Sequence, residues 1–75
     1  MNNKITKSII IQPVSEIVGN SHRYTSIKGE ISLLYPSWAT MDMYEIYCIK
    51  GNLFEDIERF ETLKEAEERI IKLLE

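Results

Sequence analysis

Asn52-Leu53-Phe54-Glu55-Asp56-Ile57-Glu58-Arg59-Phe60-Glu61-Thr62-Leu63-Lys64-Glu65-Ala66 admits two readings, and the choice between them settles the fold. Leu53, Ile57 and Phe60 have helical spacing, which would merge the stretch with everything after it into one long helix. Thr62 argues against that. Thr62-Leu63-Lys64-Glu65 is a capping box, in which the threonine hydroxyl accepts from the backbone N–H of Glu65 and the Glu65 carboxylate reaches back to the N–H of Thr62. A helix that starts there cannot also run through from 52, so residues 53–60 are predicted to be a strand. Beyond the cap, Leu63, Ala66, Ile70, Leu73 and Leu74 form one apolar stripe that Ile71 widens. Glu65/Arg69 and Glu68/Lys72 are favourable i, i+4 pairs on the outer side.

Upstream, Gly51-Asn52 tolerates positive φ and reads as a hairpin turn joining strand 43–50 to strand 53–60. A two-residue turn sets Ile46 opposite Ile57 but also Glu45 opposite Glu58, two like charges; a three-residue loop pairs Glu45 with Ile57. Both registers stay open. From Tyr24 to Tyr35 apolar and polar residues alternate, with Ile27, Gly29, Ile31, Leu33 and Tyr35 on one face, which predicts one long strand ended by Pro36. Gly29 on that face suggests a bulge or room for a neighbouring aromatic. Residues 36–42 form a loop, and the β-branched run from Ile5 to Gln12 reads as a first strand stopped by Pro13. Residues 13–21 carry both a short-helix pattern, at 13–18, and a strand-and-turn pattern. The predicted fold class is α+β: one domain, residues 1–75, with an antiparallel sheet of about four strands packed by one C-terminal amphipathic helix.

The chain has 75 residues, 44% of them hydrophobic and 28% charged, which suits an ordinary folded domain. So short a chain normally adds a staple, and its one cysteine, Cys48, cannot form an internal disulfide, so a homo-oligomer or a partner is the expected source of extra stability. A lone cysteine suits a reducing compartment. The apolar run Ile9-Ile10-Ile11 is too short for a signal peptide core or a membrane span, so the expected location is cytoplasmic, with no membrane partner. Net charge is -3 and unevenly spread. Lys4, Lys7, Arg23 and Lys28 face only Glu16 in residues 1–28, whereas the remainder is strongly acidic, which demotes direct nucleic-acid binding.

Catalytic patterns are weak. His22 reads as a solvated loop residue and Cys48 as a sheet residue that behaves as a small hydrophobe, so they do not make a convincing nucleophile and base. One histidine and one cysteine fall short of a zinc site. The three glycines are isolated, with no phosphate-binding pattern, and no cofactor is expected. Two surfaces remain. Glu55, Asp56, Glu58, Glu61 and Glu65 predict an acidic face on the last strand and helix, suited to a basic groove on another protein. Tyr35, Trp38 and Met41 mark a loop whose side chains are costly to leave in water and are enriched in interface cores; the competing reading folds Trp38 back to cap the sheet. The acidic face ranks slightly ahead. Tyr24, Tyr44 and Tyr47 offer a weaker third reading, a stacking surface for a small molecule or nucleotide.

Tyr44-Glu45-Ile46-Tyr47 through Gly51, followed by Glu58-Arg59-Phe60-Glu61-Thr62-Leu63-Lys64-Glu65-Ala66, resembles a pattern of small phage and mobile-element proteins, in which a hairpin leads through "R-F-x-T-L-x-E-A" into an amphipathic helix. The resemblance covers about the last thirty residues. It is similar in size and character to phage inhibitors of bacterial defence, anti-CRISPR proteins among them. What this implies is a non-enzymatic inhibitor that binds a larger host protein, including a nucleic-acid-binding one whose site an acidic surface would occupy. HicB-type antitoxins share the "T-L-x-E-A" helix start, which gives an antitoxin or small oligomeric regulator as the alternative; their P-G-C turn is absent here.

Overall fold

The helix begins where Thr62 sets it. In a computed structural model that describes residues 4–10 and 21–75, and not the side chains of residues 9 and 10, helix α1 spans Leu63–Leu74 with Thr62 as its extended N-cap. The elements before it are β1 (Thr6–Ile10), β2 (Ser21–Ser26), β3 (Gly29–Leu34), a 3-10 turn at Trp38–Thr40, β4 (Tyr44–Lys50) and β5 (Glu58–Phe60). The strands pair antiparallel in chain order, β1 to β5, and α1 covers one face of the sheet. The α+β class stands, with five strands in place of about four. The short helix weighed at 13–18 lies outside the described residues.

The extra strand comes from the alternating stretch 24–35, which is a hairpin and not one strand. Ser26 pairs with Gly29, leaving Ile27 and Lys28 as a two-residue turn, and Tyr24 faces Ile31 across the pair. A two-residue turn inverts parity, so Tyr24 joins the face of Ile31 and Leu33 despite its even number. Ser26 takes the part that a glycine or asparagine usually plays. Its hydroxyl accepts from the N–H of Lys28 at 3.1 Å and donates to the carbonyl of Leu74 at 2.8 Å, which ties the turn to the end of α1.

Only Glu58–Phe60 of the predicted 53–60 strand is a strand. Gly51, at φ +89, does turn the chain, but the connection runs on through Ile57 because Leu53 and Phe54 pack against the core instead of extending the ladder. The resulting register is neither of those foreseen. Tyr44 faces Phe60, Glu45 faces Arg59 and Ile46 faces Glu58, so the like-charge clash becomes an opposite-charge pair. The bulge suggested at Gly29 falls on the neighbouring strand instead: pairing shifts between Glu30↔Lys50 and Ile31↔Cys48, leaving Ile49 of β4 as the extra residue. What Gly29 admits is backbone and an aliphatic tip, not an aromatic. A Cβ there would lie 2.3 Å from the Lys50 carbonyl oxygen and 2.9 Å from Leu53 Cδ1.

The core between sheet and helix consists of Tyr24, Ile31, Leu33, Ile46, Ala66, Ile70 and Leu74, all buried. Leu63 and Leu73 pack beside it, so five of the stripe residues lie as predicted, whereas Ile71 is 41% exposed and does not widen the stripe. The opposite face of the sheet is mostly polar, carrying Thr6, Ser8, Arg23, Thr25, Glu30, Ser32, Tyr47 and Arg59. Among the described residues, no helix is long and apolar enough to cross a membrane.

Candidate functional site

Pro36 stops β3, and the next residues close on themselves. Ser37, in extended conformation, caps the 3-10 turn: its hydroxyl accepts from the N–H of Ala39 at 3.2 Å, and its own N–H donates to Thr40 Oγ1 at 2.9 Å. Thr40 Oγ1 also donates to the Ser37 carbonyl at 3.1 Å, and Thr40 is buried. That carbonyl further accepts from the N–H groups of Thr40 and Asp42, at 3.1 and 2.8 Å. Met41 and Asp42 follow in the left-handed region, at φ 57 and 61. For residues with a side chain this costs roughly 1–2 kcal/mol each, which the closed hydrogen-bond ring and the buried Thr40 must offset.

This geometry holds Trp38 outward. Trp38 is 71% exposed and Met41 70%, so the tryptophan does not fold back to cap the sheet. Below Met41 lies Arg59, whose Nη1 donates to Met41 Sδ at 3.5 Å while Nε donates to Glu45 Oε1 at 3.0 Å. Tyr35 separates from the other two loop residues. Its ring stands edge-on to His22 and Tyr44, with centroids 4.9 and 5.3 Å away, and belongs to the rim of the core.

The acidic residues differ in their partners. Glu58 points to the helix side and receives both Nε and Nη2 of Arg69, at 2.9 and 3.2 Å, a forked pair that raises the Arg69 pKa. Arg69 therefore pairs with Glu58 and not with Glu65. Glu65 stays with Thr62: its backbone N–H donates to Thr62 Oγ1 at 3.2 Å, and the hydroxyl donates to Glu65 Oε1 at 2.9 Å. The carboxylate thus accepts from the hydroxyl, where a full capping box would have it accept from the Thr62 N–H. No Glu68/Lys72 ion pair forms among the described residues. Glu55, Asp56 and Glu61 are exposed, the first two in the segment before β5 and the third between β5 and α1.

His22 is not a loop residue. It is the second residue of β2, half-buried, and its Nδ1 has no hydrogen-bond partner among the described residues; burial, then Lys7, lowers its pKa. Cys48 is a half-buried strand residue, with Sγ 3.2 Å from the Lys50 carbonyl and 3.0 Å from that of Gly51. β3 lies between the strands bearing His22 and Cys48, and they sit in different cross-strand rows, so they are not neighbours. Tyr24 and Tyr44 lie on the helix-facing side of the sheet and Tyr47 on the other, so the three tyrosines share no surface. No cavity opens among the described residues, and no three of their His, Cys, Asp or Glu side chains are placed to hold a metal ion.

One cluster has no motif in the sequence. The Tyr24 hydroxyl donates to Glu67 through a short bond, and Lys7 Nζ donates to the same carboxylate oxygen at 3.1 Å while lying 5.4 Å from the centre of the Tyr24 ring. Burial, reinforced by the bond to Glu67, pushes the Tyr24 pKa up to about 12; that bond in turn holds Glu67 below its ordinary range, and Lys7 is raised by Tyr24 and Glu67. Three elements meet here, and the sole sequence signal is that Glu67 follows the buried Ala66 on the helix.

No protein family, curated protein or solved structure matches the chain.

Proposed function

We propose that this chain is a non-enzymatic protein-binding inhibitor of phage type, which occupies a site on a larger host protein through Trp38 and Met41. The carrying observation is the exposure of those two side chains, 71% and 70%, on a turn fixed by its own capping ring. A large apolar side chain held in water by ordered backbone is a preorganised anchor, because little further ordering is needed when it enters a partner's pocket. Glu55, Asp56 and Glu61 supply long-range attraction to a basic rim around that pocket, whereas Glu58 and Glu65 have internal partners. The balance thus moves from the acidic face towards the loop.

The test places a photo-crosslinking residue at position 38 and, separately, at Ser8 on β1, the edge of the sheet opposite β5, in a bacterial host. A host protein crosslinked from 38 and not from 8, whose purified form releases the Trp38→Ala variant at least tenfold faster than wild type, supports the reading. Equal labelling from both positions, or unchanged release, removes it.

A further inference from the structure

We propose that Met41 is a reversible oxidation site, at which hydrogen peroxide converts the thioether to a sulfoxide that Arg59 holds and that switches off the Trp38–Met41 anchor. Two properties single this sulfur out. The Met41 side chain is 70% exposed, so a small oxidant reaches it, and Sδ accepts from Arg59 Nη1 at 3.5 Å. The other sulfur-bearing side chains among the described residues are less open. Met43 and Cys48 are half-buried, and Cys48 Sγ is taken up by the carbonyls of Lys50 and Gly51.

The step is an oxygen transfer. A sulfur lone pair attacks one oxygen of hydrogen peroxide, the S–O bond forms as the O–O bond breaks, and the second oxygen leaves as water. The thioether gives up two electrons and the peroxide takes them. Return needs two thiols, which become one disulfide while the sulfoxide oxygen departs as water, the conversion that methionine sulfoxide reductases catalyse.

Arg59 is already placed for the product. Its Nε donates to Glu45 Oε1 at 3.0 Å, which fixes the guanidinium with Nη1 towards Met41. The Met41 backbone is set by its φ of 57 and by its N–H bond to the Trp38 carbonyl at 3.4 Å, so the side chain alone turns to bring the new oxygen to Nη1. A thioether sulfur is a weak acceptor, whereas the sulfoxide is polar. A charge-assisted hydrogen bond therefore replaces an N–H···S contact, and oxidation tightens the join between this turn and β5. Binding responds in the opposite sense. The anchor side chain becomes polar and enters an apolar pocket only by leaving its sulfoxide desolvated. This effect on binding rests on the host-protein reading; the oxidation and its uptake by Arg59 do not.

The full chain is treated with hydrogen peroxide, and the singly oxidised form is isolated, mapped by peptide mass and melted. Met41 should take up oxygen roughly fivefold or more faster than Met43, with Cys48 and Trp38 unmodified at that stage. The melting midpoint should rise by about 2 °C or more in wild type, and should not rise in Arg59→Lys, which keeps a cation opposite Glu45. Oxygen taken first by another side chain, a midpoint that falls, or a rise that Arg59→Lys shares overturns the site. The host protein captured through position 38 gives the second readout. It should release the oxidised chain about tenfold or more faster than the reduced one, sulfoxide reductase with thiol should reverse this, and peroxide should leave release of Met41→Leu unchanged. An oxidised chain released no faster, while Trp38→Ala is, overturns the switch. Unchanged release of Trp38→Ala instead removes the host-protein reading and the switch with it, and the melting result still decides the site.

Discussion

Glu45 and Arg59 stand directly opposite each other on β4 and β5, with the guanidinium Nε 3.0 Å from the carboxylate, and this pair accompanies a register that neither simple hairpin loop would produce. Glu45 is only 8% exposed, so its charge depends on that partner. Arg59→Ala should lower unfolding stability by about 1–3 kcal/mol, the cost of a carboxylate left without its charged donor. Adding Glu45→Gln should return part of that loss in urea denaturation. An additive double variant would show that the pair does not hold the register.

Among the described residues, Thr62 makes the only side-chain cap at the start of α1. Thr62→Ala should cost about 1 kcal/mol, within the usual range of about 0.5–2, read as a lower denaturation midpoint with an unchanged slope. An unaltered midpoint would mean that the helix does not depend on this cap.

Gly29 and Gly51 are constrained for different reasons. Gly29→Ala places a methyl 2.3 Å from the Lys50 carbonyl oxygen, so the strands must part, at a cost of about 1–3 kcal/mol. Gly51→Ala adds the strain of a positive φ and a contact 2.6 Å from the Lys28 carbonyl oxygen. Thermal melts of both should fall below wild type, and a neutral Gly29→Ala would contradict the close approach of β3 and β4.

Stability should fall on both sides of neutral pH. His22 and Glu67 have folded pKa values below their ordinary 6.5 and 4.5, so their stabilisation is present above those values and is lost as pH falls through the folded ones. Tyr24, raised from 10.0 to about 12, favours the fold while protonated; its contribution is present below 10 and is lost as pH rises through 12. Lys7, raised from 10.5, is likewise lost on the alkaline side. Tyr24→Phe should flatten the alkaline limb of melting temperature against pH and weaken the acid limb below 4.5, because Glu67 loses its main donor. A variant with the wild-type profile would disprove the coupling.

Trp38→Ala should leave folding within about 0.5 kcal/mol, since an exposed side chain supports little of the core. Against the host protein proposed above it should instead cost about 2 kcal/mol or more, expressed in dissociation with little change in salt dependence. Reversing charge at Glu55, Asp56 and Glu61 should do the opposite, slowing association and flattening its salt dependence. Comparable effects from both sets on one rate would merge the two surfaces.

The sheet-plus-helix design was readable because its two strongest signals are local: the Thr62 cap and the 3.6-residue stripe to Leu74. The hairpin inside 24–35 was hidden because Ile27-Lys28 lacks turn chemistry of its own; Ser26 supplies it, partly through a hydrogen bond to Leu74, distant in sequence. Residues 51–57 misread for a related reason, since Leu53 and Phe54 suit a strand equally well whether they extend a ladder or cover a core. Of the candidate site, Trp38 and Met41 are conspicuous in the sequence by residue type. Which carboxylates have partners was not, because Arg69 reaches Glu58 across eleven positions and Lys7 reaches Glu67 across sixty.

The brevity of β5 limits how this chain can misassemble. A sheet grows by adding strands at a bare edge, and here the margin beyond β4 is a three-residue strand, with a bulge at Ile49 disturbing the longer strand behind it. An incoming strand finds too few aligned amides to template a fibril at that border. Concentrated samples should therefore resist amyloid-type conversion at that border.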